Sequence, residues 1–414
     1  GAFDAFTSYL ALASVGGAGV APNNLGDPDL KPEVSKELEI GFNAGLFNDK
    51  FNLEFTYWDR VTSDALFSRQ FPLSGGFRNP QLTNVAELEA NGLEINLSGN
   101  IIRKGDLTVN AYVNAAYLKE NVSSLGGAPP LKVGGSYPRY RNYLQEGFAP
   151  GANFGAQLAT VPSGSLPIDI ANGDGLPDTN QQLVAFLTGN GSYSLPTSIG
   201  TGSVLLADED GDGDYLDHYL GKSTPDWTGA FGGSVNYKNW TLNTTFEFKA
   251  GNFVINNLTD AFRQANGAIG RNLPRSAKVA RDYSTGGVDA SFTPQGDGNV
   301  RLAALDEWLN NTLALAPFSG LNTLEKADFV RWRELSLNYN ITGTILDQFS
   351  LDTASIGVSG RNIAIFTSYT GVDPEINYVG RGSGSNLDQN FGQGIAAFGW
   401  PIPTQVLLTL KVGF

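Results

Sequence analysis

Residues 405–414 read QVLLTLKVGF. Val406, Leu408, Leu410, Val412 and Phe414 share one parity; Gln405, Thr409, Lys411 and Gly413 occupy the other, and only Leu407 is out of step. A strand sends alternate side chains to opposite faces, so this segment has one apolar face and one polar face. Either a soluble sheet or a membrane barrel could use such a strand. The rest of the chain decides which solvent the apolar face meets.

The alternation recurs upstream in ELEIGFNAGLF (37–47), FNLEFTYW (51–58), LEINLSGNI (93–101), LTVNAYVNAA (107–116), FGGSVNY (231–237), WTLNTTFEF (240–248), ELSLNYNI (334–341) and SIGVSGRNI (355–363). With the terminal segment, this predicts roughly ten strands. The second faces carry Asn52, Glu54, Thr56, Glu94, Asn96, Asn110, Asn114, Asn243, Thr245, Glu247, Ser336, Asn338 and Asn340, which are polar but only partly charged. The outer face of a soluble sandwich usually carries more Lys and Glu. A transmembrane barrel instead turns its apolar face to lipid and its polar face to a lumen. Tyr57, Trp58, Tyr112, Tyr117, Tyr237, Trp240, Phe248, Trp332, Tyr339 and Phe414 lie near strand ends and suit aromatic girdles at the membrane surfaces.

Connection lengths point the same way. Short turns at 46–51, 103–106 and 236–240 alternate with Gly-, Pro-, Ser- and Asn-rich tracts at 122–226 and 250–326. Short turns at one end and long loops at the other are the asymmetry of an outer-membrane barrel. The fold expected is therefore all-β, a transmembrane antiparallel barrel. No run of about 18 apolar residues exists to make a spanning helix. The N-terminal stretch has no positively charged region of a secretory signal, and the chain reads as a processed or truncated product.

Composition excludes several functions. A net charge of −14 offers little to neutralise phosphates, so no nucleic-acid partner is expected. The absence of Cys removes disulfides, thiolate metal sites and cysteine catalysis. The single histidine, His218, has no candidate nucleophile at a motif spacing, and no enzyme activity is expected. GRGSGSN (380–386) and VGGAGVAPNN (15–24) lack the strand-to-helix context of a phosphate cradle and read as loops.

Asp208, Asp210, Asp212, Asp214 and Asp217 lie in DEDGDGDYLD. Carboxylates at alternate positions with Gly213 at the sixth follow the logic of a calcium loop, hard oxygen ligands around a sharp turn. Position twelve is Tyr219, which cannot supply the bidentate carboxylate, and Asp217 is the candidate substitute. The expectation is a structural Ca2+ ion, with a solvated acidic loop as the alternative. ANGDGLPD (171–178) is a weaker echo that reads as a turn. The loop aromatics Tyr137, Tyr140, Tyr143, Phe148, Phe154 and Trp308 serve one of two ends, stacking on sugar rings or packing the loops together.

Several blocks resemble SusC/RagA-like TonB-dependent transporters of the outer membrane. NLGDPDLKPE (24–33) is similar to the family's NPDLKPE block. NVAELEANGLEINLSG (84–99) resembles its strand entry, departing at Ala86 and Ala90. DEDGDGDYLDHYLGKSTPDWTGAFGGSVNYKNW (208–240), ADFVRWRELSLNYNI (327–341), GRNIAIFTSYTGVDPE (360–375) and the terminal strand ending in Phe follow in the family's order. The resemblance implies the C-terminal part of a barrel of about 22 strands, with residues 1–33 in an extracellular loop region and 34–414 as C-terminal strands and loops. It also implies import of oligosaccharides or peptides, a SusD-like surface lipoprotein partner, and contact with TonB only through an N-terminal part not in this sequence. Val406, Leu408, Leu410, Val412 and Phe414 then form the signal read by the barrel-assembly machinery, since an unpaired terminal strand can add to another sheet edge. Two alternatives stand beside this reading: a self-assembling structural β-protein derived from such a barrel, and a small self-contained porin.

Overall fold

The computed structural model describes residues 4–14, 17–69, 73–77, 79, 81–132, 141–155, 192–194, 203–205, 217–259, 323–349, 351–377 and 393–414. A hairpin, β1 (Ser8–Ser14) and β2 (Gly17–Asn24), precedes four long strands, β3 (Val34–Leu46), β4 (Phe51–Arg69), β5 (Gln81–Lys104) and β6 (Leu107–Ser124). Short loop strands follow: β7 (Leu131–Lys132), β8 (Asn142–Leu144), β9 (Ala152–Gly155), β10 (Ser192–Ser194), β11 (Ser203–Leu205) and β12 (His218–Lys222). The hairpin β13 (Trp227–Tyr237) and β14 (Trp240–Ala250) leads to β15 (Val254–Asn257) and β16 (Leu324–Lys326). Then come β17 (Phe329–Ile341), a short helix α1 (Thr344–Gln348), β18 (Thr353–Thr367), β19 (Ile395–Ala396) and β20 (Gln405–Gly413).

Nine of these form one sheet in the order β20-β18-β17-β14-β13-β6-β5-β4-β3, with every neighbouring pair antiparallel. Residues 47–50, 105–106, 238–239 and 342–352 connect strands at one end. Residues 70–80, 125–226, 251–328 and 368–404 do so at the other. Gly105 takes φ +56° in the two-residue turn into β6, a conformation that tight hairpins require and glycine adopts freely.

The register assigns the faces. One row pairs Leu53, Leu97, Val113, Phe231, Phe246 and Trp332 across six strands. The rows beside it on the other face carry Asn96, Asn114, Glu247 and Arg331. Two aromatic rows bound the apolar face. Tyr57, Tyr117 and Trp227 lie toward the long loops, with Tyr117 and Trp227 rings 5.0 Å apart. Tyr237, Trp240 and Tyr339 lie toward the short turns, with Trp240 and Tyr339 rings 4.6 Å apart. Trp227 and Tyr237 are the ends of β13; at about 3.4 Å per residue and a tilt of about 45° they stand about 24 Å apart along the membrane normal. Outer-membrane barrels have an apolar band of about 25 Å.

Two expected girdle residues belong elsewhere. Trp58 and Tyr112 have the parity of the polar face, and the Tyr112 hydroxyl meets Thr245 Oγ1 at 3.0 Å. Phe248 and Trp332 face outward inside the band rather than at its rims.

Among the described residues the sheet does not close on itself. Its edges are β3 and β20, and both run from the long-loop end to the short-turn end. Pairing them directly would make a parallel ladder, slightly weaker per residue and foreign to this sheet. An all-antiparallel barrel needs an odd number of further strands between them. The small self-contained porin lacks that closure here. Two copies joined edge to edge about an axis along the membrane normal would meet the same parallel pairing.

Candidate functional site: the lumen wall and the loops above it

The polar face forms a ladder of amides and hydroxyls with the Glu54 carboxylate among them. Asn96 Nδ2 donates to Glu54 Oε2 at 3.2 Å, Asn110 Nδ2 to Ser234 Oγ at 3.1 Å, and Asn243 Nδ2 to Ser336 Oγ at 3.3 Å. Asn52, Ser98, Asn110, Tyr112, Asn243 and Thr245 line a shallow concavity of about 430 Å³ on this wall. Such groups offer both donors and acceptors without fixing a strong charge, which suits passage of a polar solute.

Toward the long loops the wall carries a buried ion cluster. Arg331 Nη2 lies 2.5 Å from Asp373 Oδ1, and Arg331 Nε lies 2.6 Å from Glu375 Oε2. Arg333 contacts both Glu375 and Glu247 and donates to Asn362 Oδ1 at 3.3 Å. Arg331 and Asp373 are only 4% and 3% exposed, so neither charge can fall back on water. Asp373 also accepts from the backbone N–H of Glu375 at 2.9 Å and of Ile402 at 3.2 Å. One carboxylate thus ties the barrel wall to the loop entering β20.

A β-bulge makes this possible. In β17 the register shifts between Trp332 and Glu334, with Arg333 as the extra residue. Without it, Arg331 would share the lipid face with Leu335 and Leu337. Sequence reading missed the cluster, yet carried a signal: the apolar positions change parity from Val330 and Trp332 to Leu335, Leu337 and Tyr339.

Above the wall, three long connections are stitched into small sheets. One has the order β12-β9-β8-β7 and another β16-β15-β19, joined by a parallel bridge between Lys222 and Phe253. Fully buried asparagines hold them: Asn142 Nδ2 lies 3.1 Å from Gly151 O, Ser223 Oγ and Gln393 O, and Asn153 Nδ2 donates to Ser223 Oγ at 3.0 Å. Phe253, Ile255, Ala327, Phe329, Tyr369 and Ala396 form the apolar core beneath. Burial, then the Arg141 charge, pushes the Lys132 amine in this layer down to about 8.

The anticipated site residues fall unevenly. Tyr143 packs edge-on against Phe154, rings 5.8 Å apart, with the Arg141 guanidinium 5.7 Å from its ring. Phe154 is buried and Phe148 and Tyr219 close around it at 5.0 and 5.9 Å, so these rings pack one another. Tyr137, Tyr140 and Trp308 lie outside the described residues, as do Asp208, Asp210, Asp212 and Asp214. Asp217 is described: it is exposed, and its Oδ1 lies 3.5 Å from His218 Nδ1. Burial, then Asp226, raises the pKa of the Tyr219 hydroxyl. Val406, Leu408, Leu410, Val412 and Phe414 are exposed along the β20 edge, on the outward side of the sheet.

Comparisons with known proteins agree with this architecture. Residues 2–195 match the model of the family described as TonB dependent receptor-like, beta-barrel. TonB-dependent receptor P3 of Formosa agariphila is 27% identical over 382 residues, covering 90% of this chain and 34% of that receptor. TonB-dependent receptor P39 of the same organism is 22% identical, covering 96% of this chain and 37% of its own length. The chain therefore spans about a third of the curated relatives it matches. Among solved structures, the RagAB peptide importer in its 'open-open' state superposes with a TM-score of 0.64 at 18% identity, over 100% of this chain and 38% of that one. An antiparallel sheet with a membrane-high apolar band, long loops at one end and these matches mark the chain as part of an outer-membrane β-barrel similar to those of TonB-dependent receptors.

Proposed function

We propose that this chain is the C-terminal barrel wall of a SusC/RagA-like transporter that imports peptides with a surface lipoprotein partner. The supporting observation is the largely neutral polar ladder lying beneath loops stitched by buried asparagines and the Arg331–Asp373 pair. A solute entering from outside meets an ordered cap first and a hydrogen-bonding, largely neutral wall second. Peptides are preferred to oligosaccharides in this reading because the superposed RagAB structure is a peptide importer and because, among the described loop aromatics, Tyr143, Phe148 and Phe154 pack one another. Energy coupling through TonB resides in parts of the protein beyond this sequence, and the free β20 edge serves as the assembly signal.

Purification of the full-length receptor from its native outer membrane, followed by mass spectrometry of what accompanies it, tests this reading. A receptor about three times the length of this chain, a lipoprotein and bound short peptides are expected, the size following from the third of each relative matched. Oligosaccharides in place of peptides, or a receptor no longer than this chain, would overturn it.

The acidic loop is proposed to bind Ca2+ through Asp208, Asp210, Asp212, Asp214 and Asp217, where unneutralised carboxylates would repel one another. Chelation is expected to speed proteolysis within 208–217. Titration of the full-length receptor with millimolar Ca2+ that releases no heat and protects no bond would leave a solvated acidic turn.

A further inference from the structure

The lipid face is not smooth. Near the middle of the apolar band a recess of about 420 Å³ opens on β6, β13 and β14, and its lining is almost wholly apolar. Ala111, Gly233 and Thr244, paired in one row, form its floor. Phe231 and Phe246 bound it on the long-loop side, stacked at 5.1 Å with an 8° interplanar angle, and Trp332 continues that ledge at 5.4 Å. Val109, Val235 and Leu242, one row nearer the short turns, make the opposite wall. The floor's one hydroxyl is already engaged: Thr244 Oγ1 accepts from Trp332 Nε1 at 2.9 Å and donates to Glu334 O at 3.2 Å.

Depth selects the occupant. Gly233 lies four residues from Tyr237 and six from Trp227 along β13. By the same rise and tilt it sits about 10 Å from the short-turn girdle and about 14 Å from the other. Short turns face the periplasm in such barrels. Water gains nothing in an apolar recess at acyl depth. A second barrel would have to insert a side chain into a trough shielded by the ring ledge. A hydrocarbon chain lying in the trough touches protein on three sides, where one on the smooth wall touches it on a single side, and dispersion contacts accumulate accordingly.

We propose that this trough seats one acyl chain of a phospholipid from the periplasmic leaflet, held longer than the lipids around it. The full-length receptor, extracted from its own outer membrane in mild detergent and weighed intact under non-denaturing conditions, should retain a single phospholipid adduct. Ala111→Leu raises the floor and Val235→Phe fills the trough from its wall; each should lose the adduct. Val358→Leu, outward on β18 and away from the recess, should keep it. Correct assembly of each variant is checked by its resistance to unfolding in detergent, and two fillers on different rows guard against one failing to assemble. Retention of the phospholipid by both assembled fillers would overturn the proposal. So would an adduct carrying lipid A, which places the seat in the opposite leaflet, or a second receptor copy released by filling the trough.

Discussion

Arg331→Ala is expected to destabilise the loop layer by about 3–5 kcal/mol, the usual effect of removing one partner from a buried ion pair. Arg331 faces Asp373 at 2.5 Å and Glu375 at 2.6 Å, and Asp373 is 3% exposed. Truncation leaves that carboxylate without its counter-ion in a site closed to water, so the Asp373 contacts to Glu375 and Ile402 should fail with it. The measurement is limited proteolysis of the full-length receptor between residues 368 and 404, together with its thermal midpoint. Arg361→Ala is the internal control. Arg361 approaches Glu334 only at 4.0 Å with the side chains 54% and 40% exposed, and such a pair contributes at most about 1 kcal/mol. Equal effects at the two positions would remove the clasp.

The second large effect separates the faces of the wall. Leu53 belongs to the outward row of Leu97, Val113 and Phe231, close to the middle of the band. Leu53→Arg should cost about 2–4 kcal/mol, the range for a cation at the midplane of an outer-membrane barrel. Ile95→Arg, one row nearer the long-loop girdle, should cost less, because a long side chain can reach the interface. Glu54→Arg and Asn96→Arg project into the lumen and should change stability by no more than about 0.5 kcal/mol, as surface substitutions do. Unfolding of the full-length receptor in lipid bilayers reads all four, and indifference to the face would end the barrel assignment.

The strands were legible because their signal is local. A period of two in FNLEFTYW or WTLNTTFEF records which solvent each side meets, and the pairing of Leu53 with Leu97 or of Leu242 with Leu337 follows that record. Turn lengths, too, stand in the sequence, so the asymmetry of the two ends was expected and found. Trp58 and Tyr112 lie near strand ends but have the parity of the polar face, and parity decides which solvent a strand residue meets.

The candidate site was less legible. Arg331 and Asp373 lie in separate sequence blocks, 327–341 and 360–375, and nothing in either block names the other. Their 42-residue separation is bridged only when β18 folds back and the bulge at Arg333 turns both guanidiniums inward. β15 and β19 likewise pair across a long connection. Composition read the intervening tracts as loops, since two- to four-residue strands carry no periodicity to detect.

By itself the sequence determined that this chain is a wall of antiparallel strands with one face for lipid and one for water. Solvation acts on each residue independently, and alternation is its direct imprint. Only the tertiary structure decided that the wall has two parallel-running edges needing further strands, that a buried ion cluster fastens its loops, and that a trough interrupts its lipid face. Those features depend on register, on strand direction and on contacts between residues far apart in the chain; the parity change in β17 marks a bulge, but no local pattern names the partners that meet there.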